Sequence, residues 1–179
     1  MIKYFDELKR SMEWLANDPR ILFMGQAVEV PGTAMSNTLK DIPMKQRREL
    51  PVAEEMQMGM AIGLAMQGKI PVSIYPRWNF LLLAVNQIVN HLDKLSVMSN
   101  GSIQAKVIIR TGIGSIRPLH PQHQHVGDFT EAFKSMCTTI DVIRLDRAED
   151  IFPAYQKALL REDGRSTLLV EWGDYYNEK

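Results

Sequence analysis

Two groups of residues in this chain have the chemistry of a reactive site. The first is Glu54 and Glu55, side by side at the front of "ELPVAEEMQMGMAIGLAMQGKIPV" (49–72), which then carries only small or apolar side chains and two glutamines until Lys69. Carboxylates in a first helical turn complement the positive end of the helix dipole, worth about 0.3–1 kcal/mol each. A carboxylate turned inward instead is a candidate for acid-base work. Neighbouring helical residues point about 100° apart, so at most one of the two faces the interior.

The second group is "RPLHPQHQH" (117–125), which gathers three of the four histidines, His120, His123 and His125. Their spacing matches no familiar zinc pattern and the single cysteine, Cys137, adds little, so no metal ligand is assigned. A proton-exchanging or substrate-orienting histidine after a strand is the preferred reading, with a plain surface loop as the alternative. "RTGIGS" (110–115) has a G-x-G but lacks the third glycine and the helix of a dinucleotide fingerprint. No Walker sequence, G-x-S-x-G elbow or H-E-x-x-H helix occurs.

Helical spacing over 2–16 (Ile2, Phe5, Leu8, Met12, Leu15) predicts an amphipathic helix, and "RILFMG" (20–25) a buried strand. The polar stretch 30–49 reads as a long loop with one helical turn. A helix from about Ala53 follows, with Gly59 and Gly63 on one face, able to approach a neighbour closely at a cost of about 1 kcal/mol per glycine. Strands are expected at 70–75, 105–111, 140–145 and 167–172, with helices over 79–99, near 128–137 and over 147–161. The alternation predicts one α/β domain spanning 1–179, with a mainly parallel sheet covered by helices on both faces. Its sites should lie beyond the carboxyl ends of the strands.

Composition narrows the partners. Lysine plus arginine equals aspartate plus glutamate at 21 each, so no global field favours nucleic acid or an anionic membrane. The longest apolar run, "FLLLAV" (80–85), falls well short of the roughly 20 residues of a membrane span. One cysteine and a charged first decade exclude an internal disulfide and a standard signal peptide, so a cytoplasmic location is expected. The eleven methionines are read as flexible core filling.

"LPVAEEMQMGMAIGLAMQGKIPV", "YPRWNF", "NQIVNHLDKLSVMSNG", "VIIRTGIG" and "PQHQH" occur in an order and spacing that resembles thiamin diphosphate enzymes of the transketolase group. The likeness covers about residues 20–172 and is greatest to the pyrimidine-binding domain in the beta subunit of pyruvate and branched-chain 2-oxoacid dehydrogenases. The resemblance implies that Glu54, in Pro51-Val52-Ala53-Glu54, hydrogen-bonds the aminopyrimidine ring of the cofactor. It assigns Phe80 to pack on that ring, and Val52 and Trp78 to its surroundings, with core filling as the alternative for Trp78. It makes His123 the active-site histidine, with Gln124 and His125 near the substrate. Three departures stand out: His125 replaces a glutamine, Leu83 a polar residue, and "YPRW" inserts proline and arginine into a usually hydrophobic stretch.

The family's diphosphate and magnesium site, a "G-D-G" followed by an asparagine on a separate domain, has no counterpart in these residues, nor does its C-terminal domain. The expectation is therefore a subunit that binds thiamin diphosphate and Mg2+ only with a partner chain carrying that motif, in an α2β2 assembly to which the Gly59/Gly63 helix could contribute. The expected reaction is decarboxylation of a 2-oxo acid with acyl or two-carbon transfer. Ketol transfer of the transketolase or deoxyxylulose-phosphate type is one alternative, and a cofactor-free structural or regulatory subunit another.

Overall fold

The computed structural model describes residues 2–117 and 120–177. Six parallel strands, β1 (Ile21–Gly25), β2 (Arg47–Glu49), β3 (Ile70–Tyr75), β4 (Ile108–Ile113), β5 (Asp141–Arg144) and β6 (Thr167–Trp172), form one sheet in the order β2-β1-β3-β4-β6-β5. The central strands are buried along their whole length; β3 reads as a nearly continuous apolar run, while β4 carries the buried Arg110 and Thr111 among its apolar residues. The helices are α1 (Tyr4–Leu15), α2 (Ala34–Asn37), α3 (Glu54–Met66), α4 (Trp78–Leu81), α5 (Leu95–Met98), α6 (Thr130–Met136) and α7 (Ala148–Leu160). On one face α1 and α7 pack together, burying Leu8, Met12, Phe23, Val72, Ile151 and Tyr155. On the other, α3, α4 and α6 bury Met58, Ala61, Trp78, Ile109, Phe133 and Leu168. The expected α/β architecture is the one observed. In α1 the buried stripe starts at Tyr4, whose hydroxyl donates to the Leu145 carbonyl at 2.8 Å, while Ile2 is exposed.

Two expectations about local structure need correction. The stretch 30–49 contains α2, a 3-10 turn over 44–46 and the edge strand β2. β2 is three charged residues paired to β1 through backbone alone, so no apolar pattern announces it. The helix expected over 79–99 is broken into α4, a 3-10 turn (82–84), a π-helical stretch (Gln87–Leu92) and α5. The widened turn ends where Asp93 N–H donates to Ile88 carbonyl, five residues back, at 2.9 Å.

That break positions Asp93. Its fully buried carboxylate accepts the backbone amides of Thr138, Thr139 and Ile140 at 2.7–3.0 Å, the Thr138 hydroxyl at 2.8 Å and the Lys94 ammonium at 2.6 Å. Burial, the largest influence, pushes its pKa up. The bonds from Lys94, Thr139 and Thr138 together outweigh it and hold the group well below the usual carboxylate range. A pKa depressed on folding contributes stability that is complete above the unfolded pKa and is lost as pH falls below about 4. Asp93→Asn is accordingly expected to cost about 2–3 kcal/mol at pH 7, because its amide sets donors against donors. Urea unfolding of both proteins should show this gap shrinking toward pH 2; a gap constant with pH would contradict it.

Candidate functional site at the carboxyl ends of the strands

Chain connections leave β1 and β3 in opposite directions along the sheet, so the crevice at their carboxyl ends is the topological switch point of the fold. Four segments converge on that end of the sheet: the turn after β1, the start of α3 after β2, the start of α4 after β3, and the histidine loop after β4.

Glu54 is the first residue of α3 and is only 3% exposed, at the head of the buried stripe Glu54, Gln57, Met58, Ala61 and Ala65; Glu55 is exposed. One carboxylate oxygen, Oε1, accepts from Gln26 Nε2 at 3.1 Å. The other, Oε2, has no hydrogen-bond partner among the described residues. Below Glu54, the Tyr75 hydroxyl donates to its backbone carbonyl at 3.3 Å. Burial holds that hydroxyl far above the usual phenol range, Ser73 pulls it back, and the charge of Glu54 adds to the rise, so Tyr75 stays protonated. Gln57, one turn along α3, donates to Ser73 Oγ at 3.0 Å and to the Ile74 carbonyl at 2.9 Å. Its amide lies so close to Gly25, with φ of +134°, that a β-carbon there would collide with the amide and with the Ile74 carbonyl. Glycine is therefore required where β1 ends.

Phe80 is half-buried in α4, and the 3-10 turn that follows it packs on α3. Its ring lies 4.9 Å from that of His125, inclined at 47°. Arg77 ties this corner together, with Nη1 donating to the carbonyls of His125 at 3.0 Å and Ser115 at 3.3 Å. Its pKa is lowered by burial, with Asp174 acting in the opposite direction. The histidine loop has left-handed φ at Gln122 (58°) and His125 (59°). His123 and Gln124 are exposed, and no hydrogen bond joins them to Glu54 or Phe80 among the described residues. Pro118 and Leu119 of that loop lie outside the described residues. The structure thus sets His125, rather than His123, against Phe80.

Of the remaining assigned residues, Val52 is 79% exposed on the turn into α3. Trp78 is fully buried, edge-on to Phe129 and 4.8 Å from Phe133 between ring centres. Positions two apart in a helix point about 200° apart, so Trp78 and Phe80 take opposite sides, and core filling is where the structure puts Trp78. No sequence motif marks Gln26 or Glu49 as a site residue, and only the departure in "YPRW" hints at Arg77. Among the described residues no group of three or more His, Cys, Asp or Glu is arranged to hold a metal ion. Burial pushes the Cys137 thiol up to about 11, which makes it a poor nucleophile. No helix among the described residues is long and apolar enough to cross a membrane.

A doubly wound parallel sheet with a buried carboxylate and an aromatic ring at its carboxyl edge is a ligand-binding α/β domain. The chain belongs to the family described as transketolase, pyrimidine binding domain, which matches residues 8–176. It is 36% identical over 124 residues to the pyruvate dehydrogenase E1 component subunit beta of Gracilaria tenuistipitata var. liui, covering 66% of this chain and 38% of that subunit. To the mitochondrial subunit of the same name from Caenorhabditis elegans it is 30% identical over 162 residues, covering 88% and 45%. It is 32% identical over 126 residues to the 3-methyl-2-oxobutanoate dehydrogenase subunit beta of Mycobacterium tuberculosis, covering 66% and 34%. The chain thus spans less than half the length of these relatives. A solved structure described as a split gene transketolase, inactive beta4 tetramer, shares the fold with a TM-score of 0.72 and 18% identity, covering 96% of this chain and 51% of that one.

Proposed function

We propose that this chain is the pyrimidine-binding subunit of a split thiamin diphosphate-dependent enzyme that decarboxylates a 2-oxo acid and passes on the acyl or two-carbon unit. The observation that carries the reading is Glu54: a carboxylate buried at a helix start beyond the strand ends, one oxygen held by the protein and the other without a partner among the described residues. This fits the aminopyrimidine half of the cofactor, because an unpartnered carboxyl oxygen can meet a ring nitrogen, and Phe80, from the segment after β3 at the same end of the sheet, offers an apolar face to a heteroaromatic ring. When bound, the cofactor supplies the carbon nucleophile that attacks a 2-oxo acid. The chain supplies a proton-holding group at Glu54 Oε2. His125, whose ring lies tilted against Phe80, and His123, in the exposed turn, stand where the loop can meet a substrate.

The diphosphate and Mg2+ are assigned to a partner chain with the G-D-G…N motif, in an α2β2 complex. Two features support an interface here. Val52 and Met56 are exposed beside the site, and Gly59 and Gly63 face open space, with nothing within 4 Å of where a β-carbon would stand. Their glycine cost has no compensating contact among the described residues. The 2-oxo acid assignment rests on the likeness to subunits named for pyruvate and 3-methyl-2-oxobutanoate dehydrogenases. Titration of the purified chain with thiamin diphosphate and Mg2+ should give no submicromolar binding by calorimetry, and adding the co-purifying partner should create it. Submicromolar binding by the chain alone would refute the shared site.

A further inference from the structure

The turn between β1 and α2 is built with more care than a connection needs. Gln26 continues β1 by one bond, its N–H donating to the Ile74 carbonyl at 3.3 Å. The chain then turns through Ala27, whose φ of 57° is unusual for a residue with a β-carbon. That turn aims three successive amides, of Ala27, Val28 and Glu29, at the carboxylate of Glu49, at 3.0, 2.7 and 2.8 Å. Glu49 is the last residue of β2. Gln26 is therefore pinned on one side by β3 and on the other by a carboxylate-closed turn, and its side chain meets one acceptor, Glu54 Oε1.

We propose that Gln26 is the positioning residue of Glu54, a role that rests on the reading of Glu54 given above. A carboxamide has a donor and an acceptor at its end. It donates N–H to Oε1 when Glu54 is ionised and can go on donating when the proton sits on Oε2, because Oε1 is then a carbonyl oxygen that still accepts. Glu54 then keeps one oxygen anchored through a proton-transfer cycle while Oε2 stays the working oxygen. A carboxylate at position 26 can do this only while the pair shares a proton, because two ionised carboxylates repel. Of the titratable groups around the pair among the described residues, Glu49 is engaged by the three amides and Tyr75, whose hydroxyl donates to the Glu54 carbonyl, stays protonated.

The test compares Gln26→Met, Gln26→Glu and Glu54→Gln in the assembled complex. Gln26→Met, similar in length but unable to hydrogen-bond, should lower kcat about 10–100-fold with the substrate KM within about twofold. It should also weaken calorimetric binding of thiamin, which carries the pyrimidine without the diphosphate. Gln26→Glu should be impaired at neutral pH and recover relative to wild type as the medium is acidified, a change in pH profile that a purely structural role would not produce. Wild-type kcat and thiamin affinity in Gln26→Met, or a Gln26→Glu profile parallel to wild type, overturns the proposal if Glu54→Gln is inactive. An active Glu54→Gln overturns the underlying reading instead. If Gln26→Met fails to fold, the isosteric Gln26→Glu still decides.

Discussion

Replacing Glu54 by glutamine is expected to reduce turnover of the assembled enzyme by about 10²–10⁴-fold, the range supplied by a positioned acid-base group. Glutamine has nearly the same shape, so α3 still begins at position 54 and the contacts of Tyr75 with the backbone remain. What disappears is the ability of Oε2 to hold and release a proton. Stability should not fall, because the substitution removes a charge from a position only 3% exposed, where an ionised group is costly to bury. Loss of turnover together with an unchanged or higher melting temperature is therefore the signature of a residue that serves chemistry. Glu55→Gln is the control: its carboxylate is exposed in the same first turn and contributes only to the helix dipole, so turnover should stay within about twofold. Steady-state rates and thermal melts on both variants decide the matter. Full activity in Glu54→Gln would leave a structural subunit as the better reading.

The separation of these two glutamates is legible in the sequence, because helical period allows only one inward carboxylate and the motif Pro51-Val52-Ala53-Glu54 selects it. The strands are legible for a similar reason. A parallel strand covered on both faces is mostly apolar, and "ILFMG", "IPVSIY" and "TLLVEW" are so but for Ser73, Thr167 and Glu171. β2 is not, because an edge strand of Arg-Arg-Glu is specified by its backbone pairing and by the use of Glu49 as a cap on a turn 20 residues away. Gln26 is invisible for a related reason: a glutamine after a glycine has no pattern, and its contact with Glu54 spans 28 positions. Helical period sets Trp78 and Phe80 on different sides but does not say which fills the core; burial against Phe129 and Phe133 does. The break in the helix between Phe80 and Met98 cannot be read from period, since the apolar spacing continues through the widened turn.

The largest loss of stability is expected at the far side of the sheet from α3, where Arg110 of β4 and Glu171 of β6 form an ion pair with no exposed surface. The guanidinium donates to both carboxylate oxygens, Nε at 2.6 Å and Nη2 at 3.0 Å, and its Nη1 donates to Thr38 Oγ1 at 2.9 Å. The hydroxyls of Tyr155, at 2.6 Å, and Tyr176 complete the carboxylate's shell. Burial acts to lower the pKa of Arg110, but the charge of Glu171 raises it further, so the arginine is a fixed cation. Burial, together with the charge of Glu171, drives both tyrosine pKa values up and keeps them donors. Arg110→Met removes the cation and leaves a carboxylate in the core, at a cost of about 3–5 kcal/mol. Set against a typical total stability of roughly 5–15 kcal/mol, that brings the domain close to its unfolding threshold, with a melting temperature lower by about 10 °C. Replacing both partners, Arg110→Met with Glu171→Leu, should recover much of the loss, because the cost lies in the orphaned charge more than in the missing bond. The recovery should be incomplete, since the two tyrosine hydroxyls would then lack their acceptor, while Thr38 keeps its bond to the Met35 carbonyl. Melting the two single variants and the double variant gives the coupling directly, and simple additivity would show that the pair does not act as a unit. The loops after β4 and β6 spring from the strands this pair joins, so the same substitution should loosen the histidine loop at the edge of the site while leaving Glu54, on the opposite face, in place.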